Sequence, residues 1–262
     1  MVEERLRAWM NANKQRLPAR ILFYRDGVSE SQFQDCINCE IPRIKKAHEN
    51  LGGKDLKMTF VICGKRHHTR FYATNNQQTT NYFEKGSKGL SGNPRPGLLV
   101  DSVITNPEPA NFFLQSHCAI KGTVRPAHYH VLEDGMGLYT NGAGVLPQVT
   151  NMLCYAFGRA TKGVSYAAPA YIADRLCERG RVYLRDWNNN PRMEPQIERL
   201  MVGDKPEKDK QKILVHKNRF AKTLMEDRPV WGKNYNKDIP GTDGRKWENP
   251  WHTNLADGML WM

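Results

Sequence analysis

The stretch Ile21-Leu22-Phe23-Tyr24-Arg25-Asp26-Gly27-Val28-Ser29-Glu30 constrains this chain more than any other. Its apolar run is short and ends on Asp-Gly, which predicts a buried strand stopped by a turn. Ser29 followed by Gln32 matches a capping box, so a helix opens just after the turn. That helix runs to about Leu51, where Gly52-Gly53 ends it, and Lys57 to Cys63 is the next strand. Strand, helix and strand in this order call for an α/β or mixed sheet with a helix on its face.

The rest of the chain follows the same logic. Residues 2–13 read as the end of an amphipathic helix, with Leu6, Trp9 and Met10 at helical spacing and Pro18 as its breaker. Residues 74–97 are rich in Asn, Gln, Gly, Ser and Pro and read as a long loop. Leu98–Ile104, Phe112–Ile120 and His128–Glu133 are strand candidates. Leu146 to Arg159 has helical periodicity, and Pro169 suits the first turn of a further helix to about Arg179. Beyond Trp187 the pattern dissolves. We therefore expect an α/β domain over 1–186, an irregular charged insertion over 187–250 with one short helical candidate near 206–226, and an apolar segment over 251–262 returning to the first domain.

Composition narrows the partners. Of 262 residues, 39% are hydrophobic and 25% charged, enough for a sizeable core. Lys and Arg outnumber Asp and Glu by 39 to 27. Residues 186–262 carry 14 basic against 12 acidic residues, so the excess sits in residues 1–185, with 25 against 15. Such a balance favours a polyanion, because each neutralised phosphate releases counterions. No stretch is apolar for the ~18 residues a membrane span needs, and charges throughout Met1 to Met10 do not suit a signal peptide. Six cysteines are scattered, and only Cys36 and Cys39 form a Cys-x-x-Cys pair. Without a second pair at zinc spacing they read as two half-buried structural thiols, and a reducing compartment, cytoplasm or nucleus, fits.

Several side chains are candidates for chemistry. Asp26 ends a buried strand, where open sheets bind ligands, although Asp-Gly there also makes a plain turn. Asp174 falls on the helix after Ala168-Pro169-Ala170-Tyr171. Two carboxylates far apart in sequence can share magnesium ions about 4 Å apart, yet Asp174 alone also reads as a solvated or ion-paired helix residue. Lys65-Arg66-His67-His68-Thr69-Arg70 concentrates positive charge just past a strand, suited to phosphate or simply to a solvated loop. His128 and His130 share a strand face, but Glu133 lies on the other, so no metal is expected there.

Taken together, Arg20 to Phe33, Lys65 to Arg70, Val100 to Thr105, Ser116 to Val131 and Val164 to Arg181 resemble, in family order, the PIWI domain of eukaryotic Argonaute proteins. The resemblance covers roughly residues 1–185. It implies an RNase H-like fold that holds a small guide RNA and, in cleaving members, cuts a complementary target RNA with two divalent metals, Mg²⁺ or Mn²⁺. By this resemblance Asp26 and Asp174 are catalytic metal ligands, matching the family's second aspartate and its fourth ligand. It also implies guide contacts. Arg179 matches a position near the guide 5′ phosphate, and Arg159, Ser165 and Tyr171 match the guide backbone. Lys65 and Arg66 belong to the phosphate-suited basic string, and His117, Lys121 and Arg125 line the same channel.

Departures from the family bear on activity. Its first catalytic Asp and its Glu would precede Met1, so the chain is expected to hold two of four ligands and to cleave poorly or not at all. The fold is accordingly expected to lack its first strands. Two other readings stand beside the cleaving one. One is a non-cleaving RNA-binding silencing protein that works through partner proteins, the other a generic basic RNA-binding module. Asp and Glu in frame upstream of Met1 would favour the cleaving reading over the non-cleaving one, and the cleaving reading needs Asp26 and Asp174 to face one cleft, whereas the generic module leaves them far apart.

Overall fold

The computed structural model describes residues 2–84, 87–106, 108–120, 122–139 and 144–183. Its architecture is organised by strand β2 (Lys57–Gly64), in which every residue from Met58 to Cys63 is buried. A strand covered on both faces reads as an unbroken apolar run. Strand β1 (Arg20–Asp26) pairs parallel to it, from Arg20 opposite Lys57 to Asp26 opposite Cys63. On the other side β7 (Ala127–Asp134) pairs antiparallel to β2, β6 (Asn111–Gln115) antiparallel to β7, and β5 (Leu98–Val100) antiparallel to β6. The sheet order is β1-β2-β7-β6-β5. Strands β3 (Thr79–Glu84) and β4 (Ser87–Pro94) form a separate hairpin.

Period-two alternation sorts the side chains onto two faces. Met58, Phe60 and Ile62, with Ile21 and Phe23, meet Cys36, Ile41 and Ile44 of the helical stretch that follows β1. Val61, Cys63, Tyr24, Phe112, Leu114 and Tyr129 face Leu146 on helix α4 (Val145–Cys154) and Ala170 on helix α5 (Ala168–Tyr183). The first helix, α1 (Val2–Ala12), buries Leu6. The capping box at Ser29 and Gln32 is present, and the helical stretch continues through α2 (Phe33–Asp35) and a widened turn, Cys36–Glu40, into α3 (Ile41–Asn50). The widened turn corrects the cysteine reading. It rotates Cys39 off the face of Cys36, so Cys36 is buried and Cys39 exposed rather than both half-buried.

Three other expectations change. Residues 74–97 are not one long loop, because they contain the β3–β4 hairpin. Backbone pairing needs no apolar alternation, so polar strands left no periodic signal. The hairpin is held by buried Asn93, whose amide donates to the Gly122 carbonyl at 2.9 Å and accepts from the Val124 N–H at 2.9 Å, and by Gln115, which donates to the Pro94 carbonyl at 2.7 Å. The expected strands 98–104 and 112–120 are cut to β5 and β6. Val103 takes φ +70°, and past Gln115 no residue of β7 lies opposite. The helix from Leu146 stops at Cys154 rather than Arg159, since Val164 N–H takes the Cys154 carbonyl that a further turn would use. Residues up to Leu176 form one unit and Cys177–Trp261 a second. The expected insertion 187–250, its helical candidate 206–226 and the segment 251–262 lie outside the described residues.

His128 and His130, which share a strand face as expected, serve packing. The His128 ring stacks on Phe113 at 3.9 Å, His130 lies 4.0 Å from His128, and His128 Nε2 donates to Asn111 Oδ1 at 3.0 Å. Burial lowers the His128 pKa to about 3, with His130 and His67 adding to the effect, and burial lowers His130 and His67 as well. In the unfolded chain each returns to about 6.5. The unfolded state then binds more protons below that pH, so stability present above about 6.5 is lost as pH falls toward the folded values. The urea midpoint should drop between about pH 7 and pH 5, and His128→Phe should flatten that drop.

Candidate functional site

The strand directions gather the functional loops at one end of the sheet. β1 and β2 run the same way, so Asp26 and the loop beginning at Lys65 emerge together. β7 runs oppositely, so Arg125, just before it, arrives at that end, and β6 runs with β2, so His117, just after it, leaves there. Ligands bind outside such carboxyl ends of strands.

Asp26 sits on the last residue of β1, half-buried, followed by Gly27 at φ +74°, a left-handed conformation that glycine adopts without a Cβ penalty. Burial raises its carboxyl pKa, the Gly27 N–H bonded to it lowers it, and the Asp174 carboxylate raises it again. Arg25 and Arg66 pull it back down. The two carboxylates expected to converge are therefore within electrostatic reach of one another. The Arg25 guanidinium is shared: its Nε donates to Glu40 at 3.0 Å and its Nη1 to the Asp26 backbone carbonyl at 2.6 Å.

Asp174 is placed by buried hydroxyl groups. Tyr129, fully buried on β7, accepts from the Ala167 N–H at 3.1 Å and so fixes the start of α5. Ser116 Oγ, at the end of β6, donates to the Val164 carbonyl and holds the loop that enters α5. Thr150 donates to the Leu146 carbonyl at 2.7 Å, so the 2.8 Å contact from Tyr24 must be donated by the tyrosine, tying β1 to α4. Left unpaired, each buried hydroxyl would cost about 1–3 kcal/mol, which makes these bonds strict about geometry.

The basic residues surround the pair unequally. Arg125 Nη1 donates to the Lys65 carbonyl at 3.2 Å. Burial lowers the Lys65 pKa, Arg125 and Arg70 lower it further, and Asp26 raises it. His117 is lowered to about 4 by burial and by Lys65. Lys65, Arg66, His117 and Arg125 thus belong to one neighbourhood with Asp26. Tyr171 lies on α5 against Phe157 and Tyr166, at 4.8 and 5.0 Å between ring centroids, and its hydroxyl accepts from Arg175 at 3.3 Å. Ser165 is half-buried in the loop before α5, and Arg159 is exposed after α4. Arg179 is exposed on α5 within the second unit. Lys121 lies outside the described residues.

Tyr166 escaped the sequence reading. Burial raises its pKa, and both Asp26 and Asp174 raise it further, so its hydroxyl is close to both carboxylates. Its position one residue after Ser165 was the available signal, but a lone Tyr in a loop carries no spacing that points to a carboxylate pair. His67 was the opposite case. It sits in the basic string, yet its Nε2 donates to the Pro126 carbonyl at 2.9 Å and its ring packs on Phe113.

A mixed sheet covered by helices on both faces, in the order β1-β2-β7-β6-β5, is consistent with an RNase H-like fold. The chain belongs to the Piwi domain family, whose model matches residues 1–185. It is 44% identical over 184 residues to argonaute 18 of Oryza sativa subsp. japonica, and 42% identical over 185 residues to argonaute 10 of Arabidopsis thaliana. Each match covers 70% of this chain, but only 16% and 18% of the relative. The C-terminal lobe of a budding yeast Argonaute superposes with TM-score 0.61 and 34% identity, over 72% of this chain and 38% of that one. Kluyveromyces polysporus Argonaute, solved with a guide RNA, gives 0.58 and 34% over 70% of this chain and 22% of that one.

The carboxylate pair makes a direct prediction. In Asp174→Asn, loss of the facing charge should lower the Asp26 pKa, read from its ¹³C carboxyl shift, and should lower that of the Tyr166 hydroxyl too. An unmoved Asp26 would mean that the two side chains do not share a cleft.

Proposed function

We propose that this chain is a guide-RNA-binding part of an Argonaute PIWI domain whose parent protein cleaves guide-paired target RNA with divalent metal. The observation that supports the reading is the electrostatic proximity of Asp174 to Asp26 at the carboxyl end of β1, with Lys65, Arg66, His117 and Arg125 in the same neighbourhood. The relatives that this chain matches over part of their length are argonautes, and one comparable structure holds a guide RNA. Arg159, Ser165, Tyr171 and Arg179 are proposed guide-backbone contacts on the same grounds of family position.

The pair fits a divalent cation. Among the described residues no group of three or more His, Cys, Asp or Glu gathers as a metal cluster, so the proposed ligands are the pair Asp26 and Asp174 alone. Magnesium is commonly held by one or two carboxylates, with waters and substrate phosphate completing its shell. When bound, such an ion polarises a phosphate oxygen and lowers the pKa of its water. Asp26, half-buried beside a like charge, would be stabilised in its ionised form by such a cation. Lys65 and Arg125 supply the fixed positive charges that hold an RNA backbone without reading its bases, leaving sequence choice to base pairing. Small guide RNA and complementary target are therefore the proposed partners, with other silencing proteins beside them. The free thiols support a reducing compartment, the cytoplasm or the nucleus. Among the described residues no helix is long and apolar enough to cross a membrane.

The test is RNA affinity by fluorescence anisotropy as a function of salt and magnesium. Affinity should fall with salt at a slope of about −0.7 per neutralised phosphate for a single strand, and Arg125→Ala should make that slope shallower by about one phosphate. Magnesium should strengthen binding several-fold, and the Asp26→Asn, Asp174→Asn double variant should erase that gain while keeping salt-sensitive binding. A magnesium effect that survives the double variant would rule out the metal role and leave the non-cleaving RNA-binding reading.

A further inference from the structure

At the base of the β3–β4 hairpin, against β5, lies a half-open cavity of about 610 Å³. Its size is in the range of small-ligand sites. Phe71, Pro94, Leu98 and Val100 give it an apolar lining. Arg70, Arg95, Gln77 and Gln78 add cationic and amide groups, and no acidic residue lines it among those described. The walls are tied by backbone bonds. Ala73 N–H donates to the Gly92 carbonyl at 3.2 Å and Arg95 N–H to the Gln78 carbonyl at 3.0 Å. Gln115 holds the Pro94 carbonyl at 2.7 Å.

Two side chains stand out. Tyr72 also lines the cavity and is 65% exposed, unusual for a large ring beside apolar residues. It rests at Gly92, where an added Cβ would lie 4.0 Å from the ring, and Gly92 has φ +70°. Arg95 spends only its Nε, on the Thr79 carbonyl at 3.4 Å, so its two terminal amino groups are unpaired among the described residues. Arg70 is anchored through Nη1 to the Thr69 carbonyl at 2.7 Å and also acts on Lys65. It therefore joins this cavity to the basic border of the site.

A flat exposed ring, an apolar lining, amide groups and free guanidinium donors are what an unstacked nucleotide needs: a π-face for its base, and donors for its base edge and phosphate. We propose that this cavity receives one unstacked nucleotide of a single-stranded RNA whose backbone runs along the Lys65–Arg125 border, with Tyr72 as the stacking platform and Arg95 on the phosphate. The inference rests on the RNA-binding reading given above. A duplex is excluded from the cavity because its bases are already stacked on each other.

The experiment measures binding of the 262-residue chain to a fluorescein-labelled RNA of about 16 nucleotides, single-stranded or paired with its complement. Tyr72→Ala should weaken the single strand about tenfold and leave the duplex unchanged, while Tyr72→Trp should restore single-strand affinity. An unchanged melting temperature in Tyr72→Ala, expected for so exposed a residue, secures that the variant is folded. Equal affinity of Tyr72→Ala and wild type for the single strand, or an equal loss on both RNAs, would overturn the inference. Should Arg125→Ala weaken binding while Tyr72→Ala does not, only the cavity role falls. Should the wild-type chain bind neither RNA, the cavity role and the RNA-binding reading fall together.

Discussion

The parallel pairing of β1 with β2 is the constraint from which the rest of the described fold follows. It runs residue for residue from Arg20 opposite Lys57 to Asp26 opposite Cys63. Ile21 and Phe23 go to one core and Leu22 and Tyr24 to the other, matching the alternation of Met58, Phe60 and Ile62 against Val61 and Cys63. A one-residue slip would exchange the two sets, so burial on both faces defines the register. The same register sets Asp26 level with the end of β2 and thereby beside the Lys65 loop. Position at the site is thus a by-product of core packing on a strand that touches both layers.

Helix α5 is held differently. Its buried contacts include small side chains, Ala167, Ala168 and Ala170, which allow close approach but specify little by shape. Polar anchors supply the specificity. The Tyr129 hydroxyl takes the Ala167 N–H, Ser116 takes the Val164 carbonyl, and Val164 N–H takes the Cys154 carbonyl. A buried polar group without its partner is costly, so each bond admits one arrangement of the loop. That arrangement brings Asp174 to Asp26 from a segment nearly 150 residues away in sequence.

Like charges held together in a half-buried place repel, and the molecule offsets this with its basic border. Arg66 lowers the Asp26 pKa and Asp26 raises that of Lys65, so anions and cations stabilise one another across the cleft. A phosphate backbone needs the cations, and a divalent ion needs the carboxylates. Arg70 extends the positive border toward the hairpin, whose base is held by Asn93 and Gln115. The basic border and the half-buried aspartate are therefore one continuous electrostatic feature.

Local sequence was enough to set out β1, the capping box, β2, β7 and the proline that opens α5, because each is governed by neighbours in the chain: an apolar run, a turn pair, a cap. It was also enough to single out Asp26, through its place after a strand, and the Lys65–Arg70 string, through its charge. Other features depended on partners distant in sequence. The β3–β4 hairpin has no apolar alternation to announce it, α4 stops where Val164 claims a carbonyl, and a widened turn separates Cys36 from Cys39. His67 looks like a phosphate ligand in its basic string but is committed to Pro126 and Phe113. The pairing of Asp26 with Asp174 was implied by the family resemblance, but their electrostatic proximity, and that of both to Tyr166, was decided by tertiary structure, since proximity between a strand end and a helix depends on how buried hydroxyls fold the chain between them.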